Sequence, residues 1–156
     1  MPRTGDYSLR FATKEDVIPL AILGKQFTKE SKNSKLFGWN MQKVYDSLFN
    51  IIDRDDFCVI CLVNDAEVVG MLIALVTPCF FSDVSQAVEI AWYIDPDHRG
   101  TRVALKMINE YERWAKEAGA VCTNMINLEV LNGDKVARMY NKRGYTLVEN
   151  TFLKEL

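Results

Sequence analysis

The chain has 156 residues, of which 49% are hydrophobic and 26% are charged, so it is long enough for one domain with a single buried core. This composition excludes a collagen-like, a disordered and a disulfide-stapled protein. Because 19 Lys and Arg residues face 21 Asp and Glu residues, the formal net charge is −2, and any site for an anion has to be local.

The sequence also limits where the protein works. No apolar run approaches the roughly 18 residues of a membrane span, and the first ten residues contain no apolar stretch of the signal-peptide kind. We therefore expect a cytoplasmic protein that binds neither membrane nor nucleic acid. The four cysteines lie in or beside apolar runs, which is typical of reduced core thiols: Cys58, Cys61, Cys79 and Cys122.

The first third of the chain is predicted to be mainly helical. Residues 9–12 have the pattern of a short strand, and Thr13 with Asp16 three positions later predicts the start of a helix that runs to about Glu30. Residues 31–40 are polar and predict a loop. Helical spacing returns over residues 41–52.

The middle of the chain predicts a three-stranded antiparallel unit. Continuous apolar runs over residues 57–63 and 68–77 flank the turn residues Asn64 and Asp65, and Pro78 ends the second run. A further strand is predicted over residues 87–94, closed by Asp95 and Pro96.

The last third predicts a β-α-β unit followed by one more helix and strand. An amphipathic helix covers residues 101–118 and stops at Gly119. A strand near residues 124–130, a helix near 134–143 that stops at Gly144 and a final strand near 145–154 complete the chain. The order β-α-α-β-β-β-α-β-α-β predicts a mixed α/β sheet covered by helices, in a single domain over residues 1–156.

The junction between the strand at 87–94 and the helix at 101–118 is a candidate anion site. The first N–H groups of a helix have no intrahelical partner, and the helix dipole adds about half a positive charge there. Arg99 and Arg102 add two formal charges. These features favour a phosphate or pyrophosphate site, although the alternative of an ordinary helix start with solvated arginines has similar weight.

Residues 94–104 resemble the acetyl-CoA signature of the GNAT superfamily of N-acetyltransferases. That signature has Arg or Gln, two residues, Gly, one residue, and then Gly or Ala. Arg99 takes the first position, Ala104 takes the last, and Arg102 replaces the first glycine.

Two further features extend this resemblance over nearly the whole chain. The predicted order of elements matches the family, and residues 136–145 are similar to the family's Ala-x-x-Leu-Tyr-x-x-x-Gly-Phe segment, with Met139 for Leu and Tyr145 for Phe. The family usually has an asparagine where this chain has Gly133, and Asn132 lies one place away. The resemblance implies a GNAT-like acyl-CoA N-acyltransferase fold, acetyl-CoA as co-substrate and no metal, with these residues at the coenzyme: Trp92, Tyr93, Ile94, Arg99, Gly100, Thr101, Arg102, Val103, Ala104 and Asn132.

The resemblance also implies the catalytic groups. Transfer of an acyl group to an amine needs a group that removes the amine proton and a group that protonates the departing thiolate. The family's proton-donating tyrosine falls on Tyr140, and its glutamate base falls on Glu89 or, on the following strand, Glu129. A strand N–H near Tyr93 would polarise the acyl carbonyl. The alternatives are a core aromatic for Tyr140 and solvent-facing sheet residues for both glutamates.

Other chemistries fit the sequence less well. The single histidine, His98, lies in the candidate phosphate turn and is expected to be a solvated loop residue. No nucleophile elbow is present. Cys58 and Cys61 form a CxxC inside a predicted strand, where this spacing points the two thiols to opposite faces, and no second Cys or His pair has metal-ligand spacing.

The sequence thus predicts an N-acetyltransferase that moves acetyl from acetyl-CoA to a primary amine by direct attack in a ternary complex. The alternative, favoured by Arg102 in place of glycine, is a catalytically silent acyl-CoA-binding or protein-interaction module on the same fold. The acceptor is a small-molecule or protein amine, and a homodimer is left open. Aromatic and acidic residues that fall where family members shape their acceptor site are Phe37, Trp39, Tyr45, Asp53, Asp55, Asp56, Phe80 and Phe81.

Overall fold

The computed structural model describes residues 5–31, 34–100, 102–128 and 131–156. The strands are β1 (Tyr7–Phe11), β2 (Phe57–Asn64), β3 (Glu67–Pro78), β4 (Ser85–Ile94) and β5 (Ala120–Asn124). The helices are α1 (Val17–Glu30), α2 (Ser34–Phe37), α3 (Met41–Ile51), α4 (Val103–Glu117) and α5 (Gly133–Lys142), with short 3₁₀ turns at Lys14–Asp16 and Pro96–His98. Among these described residues, no helix is both long and apolar enough to cross a membrane.

The five strands form one mixed sheet in the order β1-β2-β3-β4-β5. The first four strands pair antiparallel, and β5 pairs parallel with β4. The parallel pair arises because α4 crosses over the sheet between the two strands, as a β-α-β unit requires. The predicted fold class is confirmed.

Helices cover both faces of the sheet. On one face, side chains of α1 and α3 such as Leu20 and Leu48 pack against Met71 and Tyr93. On the other face, α4 packs Met107, Ile108 and Tyr111 toward the sheet. The apolar runs of β2 and β3 are continuous because both of their faces are buried.

The cysteines confirm one prediction and correct another. Cys61 belongs to the α1 face and Cys58 to the α4 face, so the CxxC thiols do point in opposite directions. Burial raises the pKa of both thiols to about 12, which keeps them protonated. Cys122 is exposed on β5, and its prediction as a core thiol is wrong.

A bulge and a divergence shape β4. Ile73 pairs with Ala91, and the next residue of β3, Ala74, pairs with Glu89. Ile90, which lies between Glu89 and Ala91, is therefore the extra residue of a β-bulge. Pairing with β5 runs from Ser85 to Val88. Among the described residues, β4 then continues to Ile94 without β5 beside it, and we call the space beside this unpaired part of β4 the cleft.

Three predicted boundaries differ from the structure. The strand expected near residues 124–130 lies earlier, at β5, and beyond Asn124 the backbone of Ile126 is hydrogen-bonded to side chains rather than to a strand. Residues 129 and 130 of that prediction lie outside the described residues. The strand expected at 145–154 does not form, and residues 145–156 have no regular structure. The predicted loop at 31–40 contains the short α2.

Candidate active site

Glu89 is a carboxylic acid buried in the cleft beside β5. Its side chain lies on the α4 side of β4, and the residue is 4% exposed. Its Oε2 accepts a hydrogen bond of 2.7 Å from the N–H of Ile126. Burial raises the pKa of Glu89 to about 7, although this hydrogen bond opposes the shift. A carboxyl group with this pKa is available both to accept and to release a proton near neutral pH.

Tyr140 on α5 reaches the same segment of chain. Its hydroxyl donates a hydrogen bond of 3.1 Å to the carbonyl of Ile126. Its ring lies 6.2 Å from that of Trp92 and 5.6 Å from that of Tyr145, measured between ring centroids. Burial first, and then the nearby charge of Glu89, raises the pKa of Tyr140 above its ordinary value, so the phenol keeps its proton at neutral pH.

The structure therefore brings Glu89 and Tyr140 together around one residue. The N–H of Ile126 bonds to the carboxylate, and its C=O bonds to the phenol. Both side chains contact the backbone of Ile126, so the residue type at this position gives no signal in the sequence. Glu129 lies outside the described residues.

The edge of β4 that faces the cleft is the second part of the site. The strand from Glu89 to Ile94 has β3 on one side and no strand on the other among the described residues. Free backbone N–H and C=O groups on such an edge bond amide groups and polarise a carbonyl. Trp92 is half-buried there, and its indole Nε1 is buried without a partner within the described chain.

The third part is the turn from β4 to α4. The side chain of Asp95 accepts a hydrogen bond of 3.0 Å from the N–H of Asp97 and so starts the 3₁₀ turn. Gly100 has a φ of +83°, where a side chain would be strained, and a Cβ there would meet open space. Arg102 has a φ of −65° and a ψ of −8°, so its backbone does not require glycine. Val103 and Ala104 open α4, and Thr101 lies outside the described residues.

The two arginines of this turn behave differently. Arg99 was expected to be available to a phosphate, but its Nη2 pairs with Glu30 Oε2 at 2.9 Å and its Nε donates to the carbonyl of Ile94 at 2.7 Å. Tyr93 also points toward α1, and its hydroxyl donates to Glu30 Oε1. Arg102 is exposed and makes no ion pair within the described residues. Arg99 therefore ties the turn to α1, and Arg102 is the arginine free to meet an anion.

Glu30 is a site residue that sequence reasoning missed. It lies 69 residues from Arg99, and its charge at the end of a helix resembles that of many solvated residues. The complementary charge of Arg99 was the available signal, but it did not identify a partner.

An asparagine stands close to the position where the family usually has one. Asn132 adopts a left-handed backbone with φ 61° and starts α5, and its carbonyl accepts the N–H groups of Lys135 and Val136. Asn127 instead donates from Nδ2 to the carbonyl of Gly133 at 3.0 Å. A Cβ on Gly133 would lie 3.6 Å from Asn127 Oδ1. The amide of Asn127 thus lies beside the place where a side chain at position 133 would begin.

His98 is buried rather than solvated, which corrects the sequence prediction. It is 4% exposed, and its Nδ1 lies 2.9 Å from the hydroxyl of Tyr7. The histidine fixes the turn against β1. Among the described residues, no group of three or more His, Cys, Asp or Glu side chains is placed to hold a metal ion.

The residues expected near an acceptor are divided between surface and packing roles. Phe37, Phe80 and Phe81 are strongly exposed. Trp39 packs against Gly24 of α1, and Tyr45 stacks on Phe49. Asp53 pairs with Lys14, and Asp56 pairs with Arg54. The structure does not bring these residues into one acidic cluster.

The splayed parallel strands and the helix that follows them define a fold shared with solved acetyltransferases. An aminoglycoside acetyltransferase from an uncultured soil metagenomic sample has a TM-score of 0.75 at 14% identity, covering 97% of this chain and 99% of its own. AAC(6')-Iy in complex with the bisubstrate analog CoA-S-monomethyl-acetylneamine has a TM-score of 0.75 at 14% identity, covering 97% of this chain and 98% of its own. A ribosomal-protein-alanine N-acetyltransferase from Brucella melitensis biovar Abortus 2308 has a TM-score of 0.70 at 12% identity, covering 97% of this chain and 100% of its own.

The sequence itself identifies the family. The model of the acetyltransferase (GNAT) family matches residues 24–145, and the chain therefore belongs to this family. None of the curated proteins matches the sequence.

Proposed function

We propose that the protein transfers an acetyl group from acetyl-CoA to a primary amine by direct attack within a ternary complex. The observation that carries this proposal is the pairing of Glu89 and Tyr140 on Ile126, next to the unpaired edge of β4. An acid and a base of unlike pKa, held at one wall of a cleft, are what acyl transfer to an amine requires. A cytoplasmic location remains part of the proposal.

Each group has a stated part in the reaction. The amine nitrogen attacks the thioester carbonyl carbon, the new C–N bond forms, and the C–S bond breaks. Glu89 removes the proton that the amine loses, directly or through a water molecule. Tyr140 gives its proton to the departing sulfur. A backbone N–H near Tyr93 on the free edge of β4 stabilises the negative charge that develops on the carbonyl oxygen.

The residues of the cleft fit acetyl-CoA. The free edge of β4 offers backbone donors and acceptors to the amide groups of the pantetheine arm. The start of α4, with Gly100 in its open conformation and Arg102 exposed, offers N–H groups and a positive charge to the pyrophosphate. Asn127 is the amide that we assign to the coenzyme side of α5, in place of Asn132.

The proposed acceptor is a primary amine. Two similar folds carry names that refer to an aminoglycoside and to a ribosomal-protein alanine, so one fold serves small-molecule and protein amines. The fold alone does not select between them.

The test is a panel of amines with acetyl-CoA, followed by free thiol release and by mass spectrometry of the products. The panel includes aminoglycosides, polyamines, lysine peptides and peptides with a free N-terminus. We expect thiol release together with products from one class of amines, each 42 Da heavier than the starting amine, which is the mass that acetylation adds. Calorimetric binding of acetyl-CoA without acetylation of any amine would instead support the catalytically silent acyl-CoA-binding module. This is the alternative that Arg102 in place of the signature glycine favours.

A further inference from the structure

The end of α5 places the side chain of Tyr145 against that of Tyr140. Gly144 has a φ of +88°, its N–H donates to the carbonyl of Asn141 at 3.1 Å, and the N–H of Tyr145 donates to the carbonyl of Tyr140 at 3.1 Å. These two bonds and the left-handed glycine form a Schellman motif, in which the two residues that the longer bond joins often touch through their side chains. Here the two ring centroids are 5.6 Å apart.

The hydroxyl of Tyr145 belongs to a short chain of hydrogen bonds. It donates to Glu112 Oε1 at 3.0 Å and lies 2.9 Å from Thr123 Oγ1. Because a phenol has one proton and a carboxylate only accepts, the hydroxyl of Thr123 is the donor to Tyr145. Burial raises the pKa of Tyr145 to about 12, so the phenol keeps its proton at neutral pH. Arg143 also pairs with Glu112, at 3.2 Å.

This hydroxyl joins three elements where the parallel strands part. Glu112 lies on α4, Thr123 lies on β5, and Tyr145 follows α5. Among the described residues, the last pairs between β4 and β5 are those of Thr123 and Asn124, and two residues further on the carbonyl of Ile126 accepts the hydroxyl of Tyr140. Tyr145 therefore contacts the ring of Tyr140 and also holds the strand that leads to its hydrogen-bond acceptor.

We propose that Tyr145 is a positioning residue for Tyr140, and that its hydroxyl, held between Thr123 and Glu112, fixes the proton donor at the cleft. The inference rests on the proposed function, in which Tyr140 protonates the departing sulfur. Reaction rates depend steeply on such placement, since a displacement of about 1 Å can cost about 10²-fold. The family's segment ends in Phe at this position, so the pattern supplies the ring, and the hydroxyl of Tyr145 is what this chain adds.

The first test is kinetic and uses Tyr145→Phe, which keeps the ring and removes the hydroxyl. We expect kcat to fall about tenfold, with KM for acetyl-CoA and calorimetric CoA affinity unchanged. Thr123→Val removes the donor to Tyr145 and should lower kcat in the same way. Tyr111→Phe is the matched control, because Tyr111 also anchors β5 through a buried hydroxyl, at the carbonyl of Asn124, and it should keep wild-type turnover. Wild-type kcat in Tyr145→Phe, or a matching loss of CoA affinity, would contradict the proposal.

The second test asks whether Tyr145 acts through Tyr140. The effect of Tyr145→Phe should disappear once Tyr140→Phe has removed the proton donor, so the double variant should turn over at the rate of Tyr140→Phe alone. Losses that multiply in the double variant would mean that Tyr145 acts by another route, and the proposal would fail.

The third test needs neither coenzyme nor amine, so its failure is distinct from that of the proposed function. The six tyrosines are labelled with ¹³C at Cζ, and the NMR signal of Tyr140 is identified by its loss in Tyr140→Phe. Tyr145→Phe and Thr123→Val should both shift this signal, and Tyr111→Phe should leave it in place. An unmoved signal overturns the inference even in an active enzyme. A shifted signal in a protein that acetylates none of the amines supports the positioning of Tyr140 and refutes only the proposed function.

Discussion

Glu89 and Tyr140 contact one peptide segment, and this arrangement gives each of them a structural and a chemical role. The carboxylate of Glu89 accepts the N–H of Ile126, and the phenol of Tyr140 donates to its carbonyl. A substitution that removes either group therefore removes a contact that holds the wall of the cleft, and it also removes a proposed catalytic group. Variants that keep the shape of the side chain are needed to separate the two effects.

Tyr140→Phe should reduce turnover while leaving the fold and coenzyme binding nearly unchanged. The ring and its packing remain, and the proton donor is lost, an effect typically worth about 10²–10⁴ in rate. Tyr111→Phe is the matched control, because Tyr111 also donates from a buried hydroxyl to a backbone carbonyl of this segment, that of Asn124, at 3.2 Å. Turnover, Tm and calorimetric CoA affinity are compared in one preparation. Equal turnover in both variants would remove Tyr140 from the mechanism.

Glu89→Gln should flatten the acid side of the pH profile of kcat/KM. A base has to be deprotonated, and the pKa of Glu89 is about 7, so wild-type activity should rise with pH through that value. Glutamine can still accept the N–H of Ile126, which preserves the wall of the cleft. Glu129→Gln is measured beside it because the sequence left both glutamates as candidates. If the rise survives in Glu89→Gln and disappears in Glu129→Gln, the base lies on the following segment.

The sequence identified individual residues of the site but not the groups that they contact. Glu89 stood out because a charge inside an apolar strand is unusual, and Tyr140 stood out through a family pattern. Glu30 and the backbone of Ile126 did not, because their importance comes from contacts between segments that are distant in the chain. Arg99 shows the same effect in reverse, since its charge suggested a phosphate and its partner is a carboxylate.

Among the elements, the turn between β4 and α4 has two functions that its sequence presents as one. Arg99, with Glu30 and the carbonyl of Ile94, fixes the turn to the end of α1. The start of α4 faces solvent with Arg102. The turn thus connects the helix on the expected acceptor side with the expected coenzyme side. Its ion pair is partly exposed, so its contribution to stability is about 1 kcal/mol or less.

Arg102→Gln should weaken the binding of CoA about tenfold, which corresponds to about 1.4 kcal/mol, and should reduce its salt dependence. Acetyl-pantetheine, which lacks the phosphates, should bind both proteins equally. Arg113→Gln is the control for net charge, since Arg113 lies on α4 eleven residues after Arg102 and pairs with Glu110 and Glu117. Calorimetry at two salt concentrations provides the measurement. Unchanged CoA affinity in Arg102→Gln would place the phosphates elsewhere.

The order of the elements up to α5 was predictable apart from the short α2, but the early end of β5 and the absence of a regular strand after α5 were not. Amphipathic spacing identified α4 and α5, and continuous apolar runs identified β2 and β3, because these signals are local in sequence. The end of β5 depends on Glu89 and Tyr140, which take the backbone of Ile126 away from a strand ladder. The pattern of residues 145–154 is that of a strand, but a strand also needs a neighbouring edge, and that requirement is invisible in the segment itself.

The buried carboxyl group of Glu89 makes the stability of the protein depend on pH. The folded pKa of Glu89 lies above its usual 4.5, at about 7. The stabilisation of the fold by the protonated carboxyl group of Glu89 is therefore fully present below pH 4.5 and is lost as the pH rises through about 7. The expected loss is about 3 kcal/mol in the free energy of unfolding.

Glu89→Gln should remove this dependence. Denaturant unfolding, followed from below pH 4.5 to above pH 7, should show the wild-type protein losing stability relative to the variant across that interval. Above the interval the glutamine protein should be the more stable of the two, because it buries no charge. Parallel curves for the two proteins would show that Glu89 titrates as an ordinary solvated carboxylate.

The bulge in β4 has a consequence for which residues the strand offers to each side of the sheet. A strand has two faces, so odd and even positions normally keep the same face along its length. Ala87 and Glu89 lie on the α4 side, but Ala91 and Tyr93, also at odd positions, lie on the α1 side. The extra residue inverts this parity halfway along the strand. If Ile90 instead took a regular position in the ladder, the parity would not invert and Trp92 and Tyr93 would exchange faces. The indole beside Tyr140 and the phenol that bonds to Glu30 would then each turn toward the wrong helix.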